Sequence, residues 1–213
     1  MSAFEFFFSF YGLLLGLSVA ELVAGFARVL HRRKAVRFGW LTPLLAVFVA
    51  VDIVTFWNQT WVIFRFAPFN MALLVVGLAV AAVFYVAASV TFPGHDTRDA
   101  STDLDDHFWA HRRTVFICVL IANLIIVAVF FANAALSGQM TKSMLSPVFW
   151  GGLVLFIGGT SIGAFARSRK IVIAALIVLV AYHGFNVARS AVSLIESGGW
   201  SFRAPDATPE AQG

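Results

Sequence analysis

The sequence predicts an all-α integral membrane protein, a bundle of six transmembrane helices. The chain has 213 residues, of which 60% are hydrophobic and only 12% are charged, about half the charged fraction of a typical soluble domain. Its apolar runs are continuous, whereas the strands of a membrane barrel alternate apolar and polar residues. Six runs reach the length of about 20 residues that a helix needs to cross the hydrocarbon core of a bilayer.

The six spans follow one another along a single predicted domain, residues 1–198. The predicted spans are residues 6–30, 40–64, 70–92, 114–136, 147–165 and 171–194. The first run lacks the basic start and the small-residue cleavage site of a signal peptide, so we expect it to be retained as a helix. Residues 199–213 form a polar tail whose composition is typical of disorder.

The longest polar connection is residues 93–113, which we predict to be cytoplasmic. Its second half is predicted to form a short helix along the membrane interface, capped at Ser101 or Thr102. His107 and His111 are four residues apart and would share one helical face, a spacing that can bind a metal.

Together with Asp96, these histidines are the weaker candidates for a metal site. The favoured interpretation of the connection is an acidic, solvated cap. We therefore predict no metal and no cofactor.

The basic residues indicate how the chain is oriented. Ten Lys and Arg residues follow the first, third and fifth spans, against three in the opposite connections and the tail. Positively charged loops stay in the cytoplasm, so both termini are predicted to be periplasmic in a bacterial inner membrane. The net charge of +4 lies mostly in these short connections, so we expect the lipid bilayer as partner and no nucleic acid.

A weak internal repeat relates the first and fifth spans. Residues 10–28 and 149–167 have identical residues at six of 19 aligned positions. A true repeat would pair spans 1–2 with spans 5–6 and give a bundle of three helical hairpins. Chance similarity between two apolar runs is the alternative.

Small residues recur along two of the spans. On the first span they stand four residues apart, at Gly12, Gly16, Ala20 and Ala24, and the fifth span carries Gly159 and Gly163. Small residues at this spacing let helices approach closely. These faces predict packing within the bundle or between copies in a homo-oligomer.

Three ionisable residues fall inside predicted spans. Glu21 lies in the first span, Asp52 in the second and His183 in the sixth. An acid at the membrane centre costs roughly 3 kcal/mol on insertion scales, so these side chains should face the bundle interior. Asp52 and His183 each lie about 12 residues, or about 18 Å, beyond the predicted start of their spans, so we expect them at the same depth.

Other polar residues extend this set into a predicted path. Thr55 and Gln59 share the face of Asp52, and Asn186 and Arg189 follow His183 toward the outer boundary. Carboxylates and histidine inside a membrane can exchange protons. The leading hypothesis is a small channel or transporter for protons or a small cation. The residues of its path would be Glu21, Asp52, Gln59, Asn123, His183, Asn186 and Arg189.

Two alternatives stay open at this point. The chain could be a non-catalytic membrane scaffold or sensor subunit whose buried charges are structural, or an intramembrane enzyme that uses the acidic connection. The phosphate-loop motif is absent from the sequence, which favours a protein without catalytic activity. Transport predicts a water-accessible cavity that reaches Asp52, whereas a structural role predicts that Asp52 is bonded directly in a dry interior.

Overall fold

The computed structural model describes residues 3–32, 36–64, 71–94, 103–137 and 146–196. They form six α-helices. The helices are α1 (Ala3–His31), α2 (Leu41–Phe64), α3 (Met71–Thr91), α4 (Leu104–Ser137), α5 (Pro147–Phe165) and α6 (Arg169–Glu196). The polar tail and residues 95–102, which include Asp96, Ser101 and Thr102, lie outside the described residues.

All six helices are long and apolar enough to cross a membrane. The prediction of an all-α, multi-pass membrane protein is confirmed to that extent. Each predicted span falls on a separate helix, and α5 begins and ends where the sequence predicted. The internal repeat and the orientation in the membrane stay predictions.

The start of α4 corrects one prediction. Residues 104–113 were expected to form a separate helix along the interface, but they are the first turns of a continuous helix of 34 residues. At 1.5 Å per residue this helix is about 50 Å long, well beyond the roughly 30 Å of a hydrocarbon core. The side chain of Asp103 begins it, since its Oδ1 accepts a hydrogen bond of 2.8 Å from the Asp105 amide. We call residues 104–113 the cap segment.

The helix α2 lies at the centre of the bundle. It contacts α1, α3, α4 and α6, while α1, α3, α4, α5 and α6 follow one another as neighbours around it. Half of the apolar window of α2 is buried, against at most 33% for any other helix. The core around it includes Leu45, Phe48, Phe84, Phe116 and Leu176, all fully buried. A polar side chain on α2 is therefore drawn into the middle of the protein.

The small residues of α1 and α5 have different surroundings. A Cβ atom on Gly163 would lie 2.7 Å from the Phe116 ring, and one on Gly159 would lie 3.0 Å from Leu179. These two glycines therefore serve packing within the chain. By contrast, Gly16, Ala20 and Ala24 are exposed on the outside of α1. A homo-oligomer through the α1 face stays a prediction.

The cap segment holds the start of α2 with its acidic side. The Asp105 carboxylate accepts a hydrogen bond of 3.1 Å from the Leu41 amide, and the Thr42 hydroxyl donates to the Leu104 carbonyl over 2.6 Å. Gly39 makes this approach possible, because a Cβ atom there would overlap the Asp105 carboxylate. An acid at a helix N-terminus also interacts favourably with the helix dipole.

The same segment holds the ends of α3 and α5 with its basic side. His107 Nε2 lies 3.1 Å from the Val90 carbonyl near the end of α3. The Arg112 guanidinium donates to the Gly163 carbonyl and, over 2.9 Å, to the Ala166 carbonyl at the end of α5. Basic groups at helix C-termini are stabilising for the same electrostatic reason. The cap segment thus ties three neighbouring helix ends together.

Candidate functional site

Asp52 lies at the centre of the bundle, bonded to a neighbouring helix. Its side chain is 2% exposed. Asn123 of α4 donates from Nδ2 to Asp52 Oδ2 over 3.0 Å, and the same amide donates to the Val119 carbonyl of its own helix over 3.0 Å. The second bond holds the Asn123 side chain in place for the first.

His183 reaches Asp52 from the other side. Its Nε2 lies 3.7 Å from Asp52 Oδ1, and its Nδ1 lies 3.5 Å from the Thr55 hydroxyl. Aromatic rings enclose the imidazole, with the centroids of Phe48 and Phe156 at 5.8 and 5.7 Å. The sequence therefore brings an acid, an imidazole, an amide and a hydroxyl together, as the positions of Asp52, Asn123 and His183 in their spans predicted.

The contact between Asp52 and His183 is incomplete. Nε2 of His183 is buried and has no hydrogen-bond partner among the described residues, although most buried polar atoms in native proteins have one. A typical N–H···O bond is about 2.9 Å long, so a shift of less than about 1 Å would close the gap. A movement of this size would let His183 and Asp52 form or break a hydrogen bond. The hydrogen bonds of the cap segment, by contrast, are already formed.

A polar face of α6 leads away from this pair. Asn186 follows His183 by one turn, is half-buried, and donates to the Tyr182 carbonyl over 3.0 Å. With the exposed Arg189, Ser190 and Ser193, Asn186 lines an open groove of about 450 Å³ near the end of α6. Polar groups thus extend from the pair toward the end of the bundle opposite the cap segment.

The opposite direction is apolar. Between the Asp52–His183 pair and the cap segment lie Leu45, Phe48, Phe116, Leu176 and Leu179, each at most 1% exposed. The Phe48 and Phe116 rings are in contact at a centroid distance of 5.7 Å, tilted by 39° to each other. This apolar layer separates the polar pair from the cap segment. The groove at the other end is lined by α6 residues, and neither Asp52 nor His183 is among them.

The predicted path residues Glu21 and Gln59 join neither the central contacts nor the polar face of α6. Glu21 lies on α1 and forms an ion pair of 2.8 Å with Arg28 of the same helix, both side chains being about a quarter exposed. The next turn, at Gly25, packs on Phe92 after α3, and no contact found among the described residues joins Glu21 to Asp52. Gln59 is exposed on α2. Thr55 and Gln59 were both expected on the face of Asp52, but only Thr55 approaches His183.

The weaker metal candidates are held by carbonyl groups. The His107 and His111 rings stack at 4.2 Å, while His111 Nδ1 lies 3.1 Å from the His107 carbonyl. Each ring thus has a nitrogen at a backbone oxygen. Within the described part of the chain, no group of three or more His, Cys, Asp or Glu side chains is arranged to hold a metal ion.

Comparisons with protein-family models, curated proteins and solved structures find no match for this chain. Its function must therefore be argued from its own residues.

Proposed function

We propose that the protein transports protons across a membrane, with Asp52 and His183 as the exchange pair. The observation that carries the proposal is the buried pair itself. A carboxylate and an imidazole from different helices face each other at 3.7 Å, each at most 4% exposed. Ionisable groups inside a membrane protein are costly, and they mark proton relays in pumps and transporters.

A proton suits this pair better than a metal cation does. A bound metal cation needs several oxygen atoms to replace its hydration shell. Here one carboxylate oxygen is taken up by Asn123, and the rings of Phe48 and Phe156 lie against His183. A proton needs only one acid and one base at short distance. A small cation is therefore the less favoured of the two predicted substrates.

The surroundings of the pair suit alternating access better than an open pore. The polar face of α6 runs from His183 past Asn186 to the open groove, whereas the apolar layer with Phe48 and Phe116 closes the other side. Transport would then require the helices to move and expose the pair to the opposite side.

A liposome assay tests the proposal. The purified protein is reconstituted with a pH-sensitive dye inside the vesicles, and proton entry is followed after a pH step. The parent should collapse the gradient faster than empty vesicles, and Asp52→Asn should slow it at least about tenfold, because the amide cannot take up a proton. The matched control is Asp106→Asn, which removes an exposed carboxylate of α4. A parent no faster than empty vesicles would contradict the proposal.

A scaffold or sensor subunit is the second candidate, and the direct bond from Asn123 to Asp52 favours it. A buried polar group bonded in a dry interior can fix how helices pack without any transport. In that case Asp52→Asn would alter the folding of the protein, while neither parent nor variant would move protons.

The cellular setting is part of the same proposal. We infer a bacterial inner membrane with periplasmic termini, from the ten basic residues in one set of connections against three elsewhere. Labelling single cysteines introduced at residues 2 and 168 in intact cells, in a Cys118→Ala background, tests this orientation. Only the residue 2 cysteine should react with an impermeant reagent.

A further inference from the structure

Basic and aromatic side chains of three helices, α4, α5 and α6, lie together at the cap segment. The Trp109 ring contacts two guanidinium groups, with the Cζ atoms of Arg112 and Arg169 at 5.3 and 5.1 Å from its centroid. Arg113 lies 5.3 Å from the centroid of Phe165 at the end of α5. Contacts of a cation with an aromatic face hold the start of α4, the end of α5 and the start of α6 in one place.

The cations at this place have no acidic partner within the described part of the chain. We define the basic patch as Arg113, Arg167, Arg169 and Lys170, which are all exposed. Among the described residues, no Asp or Glu side chain forms an ion pair with any of them. Two acids in or beside the cap segment are used elsewhere, since Asp103 faces Arg37 and Asp105 caps α2. Asp106 is exposed and forms none of the ion pairs found among the described residues.

The patch keeps its hydrogen-bond donors available. Arg112 uses its donors on the carbonyl groups of α5, but Arg113 and Arg169 meet their aromatic partners through the ring face. A guanidinium on a ring face still presents N–H groups at its edge, and these match the oxygens of a phosphate. Two oriented guanidinium groups and two further cations thus point to an anionic phosphate ligand.

The surroundings indicate which phosphate compound this is. Phe165 and Ile171, at the adjoining ends of α5 and α6, are 56% and 53% exposed. Both helices are apolar enough to cross a membrane, so these side chains are available to acyl chains, and Trp109 is a residue type enriched at membrane interfaces. We propose that the basic patch binds the headgroup phosphate of an anionic phospholipid, with the acyl chains along Phe165 and Ile171.

Native mass spectrometry tests this site. The protein in neutral detergent is titrated with short-chain phosphatidylglycerol, with phosphatidylcholine of the same chain length, and with inorganic phosphate. Phosphatidylglycerol should bind at least about tenfold more tightly than phosphatidylcholine, since each basic residue near a membrane surface contributes about fivefold in affinity for anionic lipid. The double variant R113Q/R169Q should lose at least about tenfold of this affinity.

The matched control is R32Q/R37Q, which removes two exposed arginines between α1 and α2 and should leave the affinity within about twofold. If the arginine contacts prove necessary for folding, R167Q/K170Q tests the patch instead, since no aromatic contact holds those side chains among the described residues. Equal affinity for the two lipids would overturn the proposal, as would unchanged affinity in the patch variants. Saturation by inorganic phosphate alone at the same affinity would overturn the lipid assignment in favour of a free anion.

Discussion

The central pair and the cap segment both hold ionisable side chains at least partly away from water, but they complete their bonds differently. In the cap segment, Asp105 and Arg112 meet free backbone groups at helix ends. In the centre, His183 Nε2 lies 3.7 Å from Asp52 and has no hydrogen-bond partner among the described residues. A charge whose bonds are complete stabilises the fold. In the central pair a buried nitrogen lacks a bond, and the proton exchange proposed above would make use of it.

The largest expected effect comes from removing one member of the central pair. In His183→Leu, an ionised Asp52 would be left buried without its basic neighbour, and breaking a buried charged pair typically costs about 3–5 kcal/mol. The double variant with Asp52→Leu should recover most of that loss, because no buried charge then remains. The measurement is the free energy of unfolding in mixed detergent micelles, with His111→Leu, an exposed histidine, as control. A double variant as unstable as the single one would mean that Asp52 is not charged in the folded protein.

Arg112→Met should have the next largest effect. The variant would leave the carbonyl groups of Gly163 and Ala166 without their donor, and hydrogen bonds from charged groups contribute about 1.5–3 kcal/mol each when buried. Because Arg112 is only half-buried, we expect a total loss of about 1–3 kcal/mol in the free energy of unfolding. Arg167→Met, at an exposed arginine that leaves those carbonyl groups bonded, should stay within about 0.5 kcal/mol of the parent. Equal losses in both variants would show that the α5 bonds do not matter.

The contrast between the two regions also explains what the sequence could predict. Long apolar runs fixed the number of helices, and polar residues within them pointed to Asp52, Asn123 and His183, because lipid penalises such groups wherever they face it. Nothing in the periodicity indicated that α4 begins ten residues early. That extension depends on contacts with residues distant in the chain, such as Asp105 with Leu41 and Arg112 with Ala166.

Glu21 is a residue for which the sequence predicted a role in the path that the contacts in the structure do not indicate. An acid inside an apolar run predicts a buried path residue, and only the conformation of the arginine two turns later reveals a partner on the same helix. Thr55 was visible as a residue on the face of Asp52, but its approach to His183 depends on how α2 and α6 pack. The number of helices and the position of a residue along its helix can be read from the local sequence. Which side chains bond to each other depends on how the helices pack.

Asp105→Ala should have a smaller effect than either of the preceding changes. It removes the carboxylate that accepts a bond from the Leu41 amide at the start of α2, and loss of such a cap typically costs about 1 kcal/mol. Asp106→Ala, one residue further along and exposed, is the control and should be nearly neutral. The free energy of unfolding is again measured, while proton flux should stay that of the parent. A variant that folds normally and loses flux would place the cap segment in the transport machinery.

The smallest effect is expected at Glu21, and it decides whether α1 belongs to the path. Glu21 and Arg28 form a pair within one helix with about a quarter of each side chain exposed, and such pairs contribute less than about 1 kcal/mol. Glu21→Gln should therefore lower the free energy of unfolding by less than that, and its proton flux should stay within about twofold of the parent. The sequence alone predicted Glu21 to be a residue of the path. Flux reduced as strongly as in Asp52→Asn would restore it to that role and would require a route to Asp52 past α1, whereas unchanged flux confines proton exchange to α2, α4 and α6.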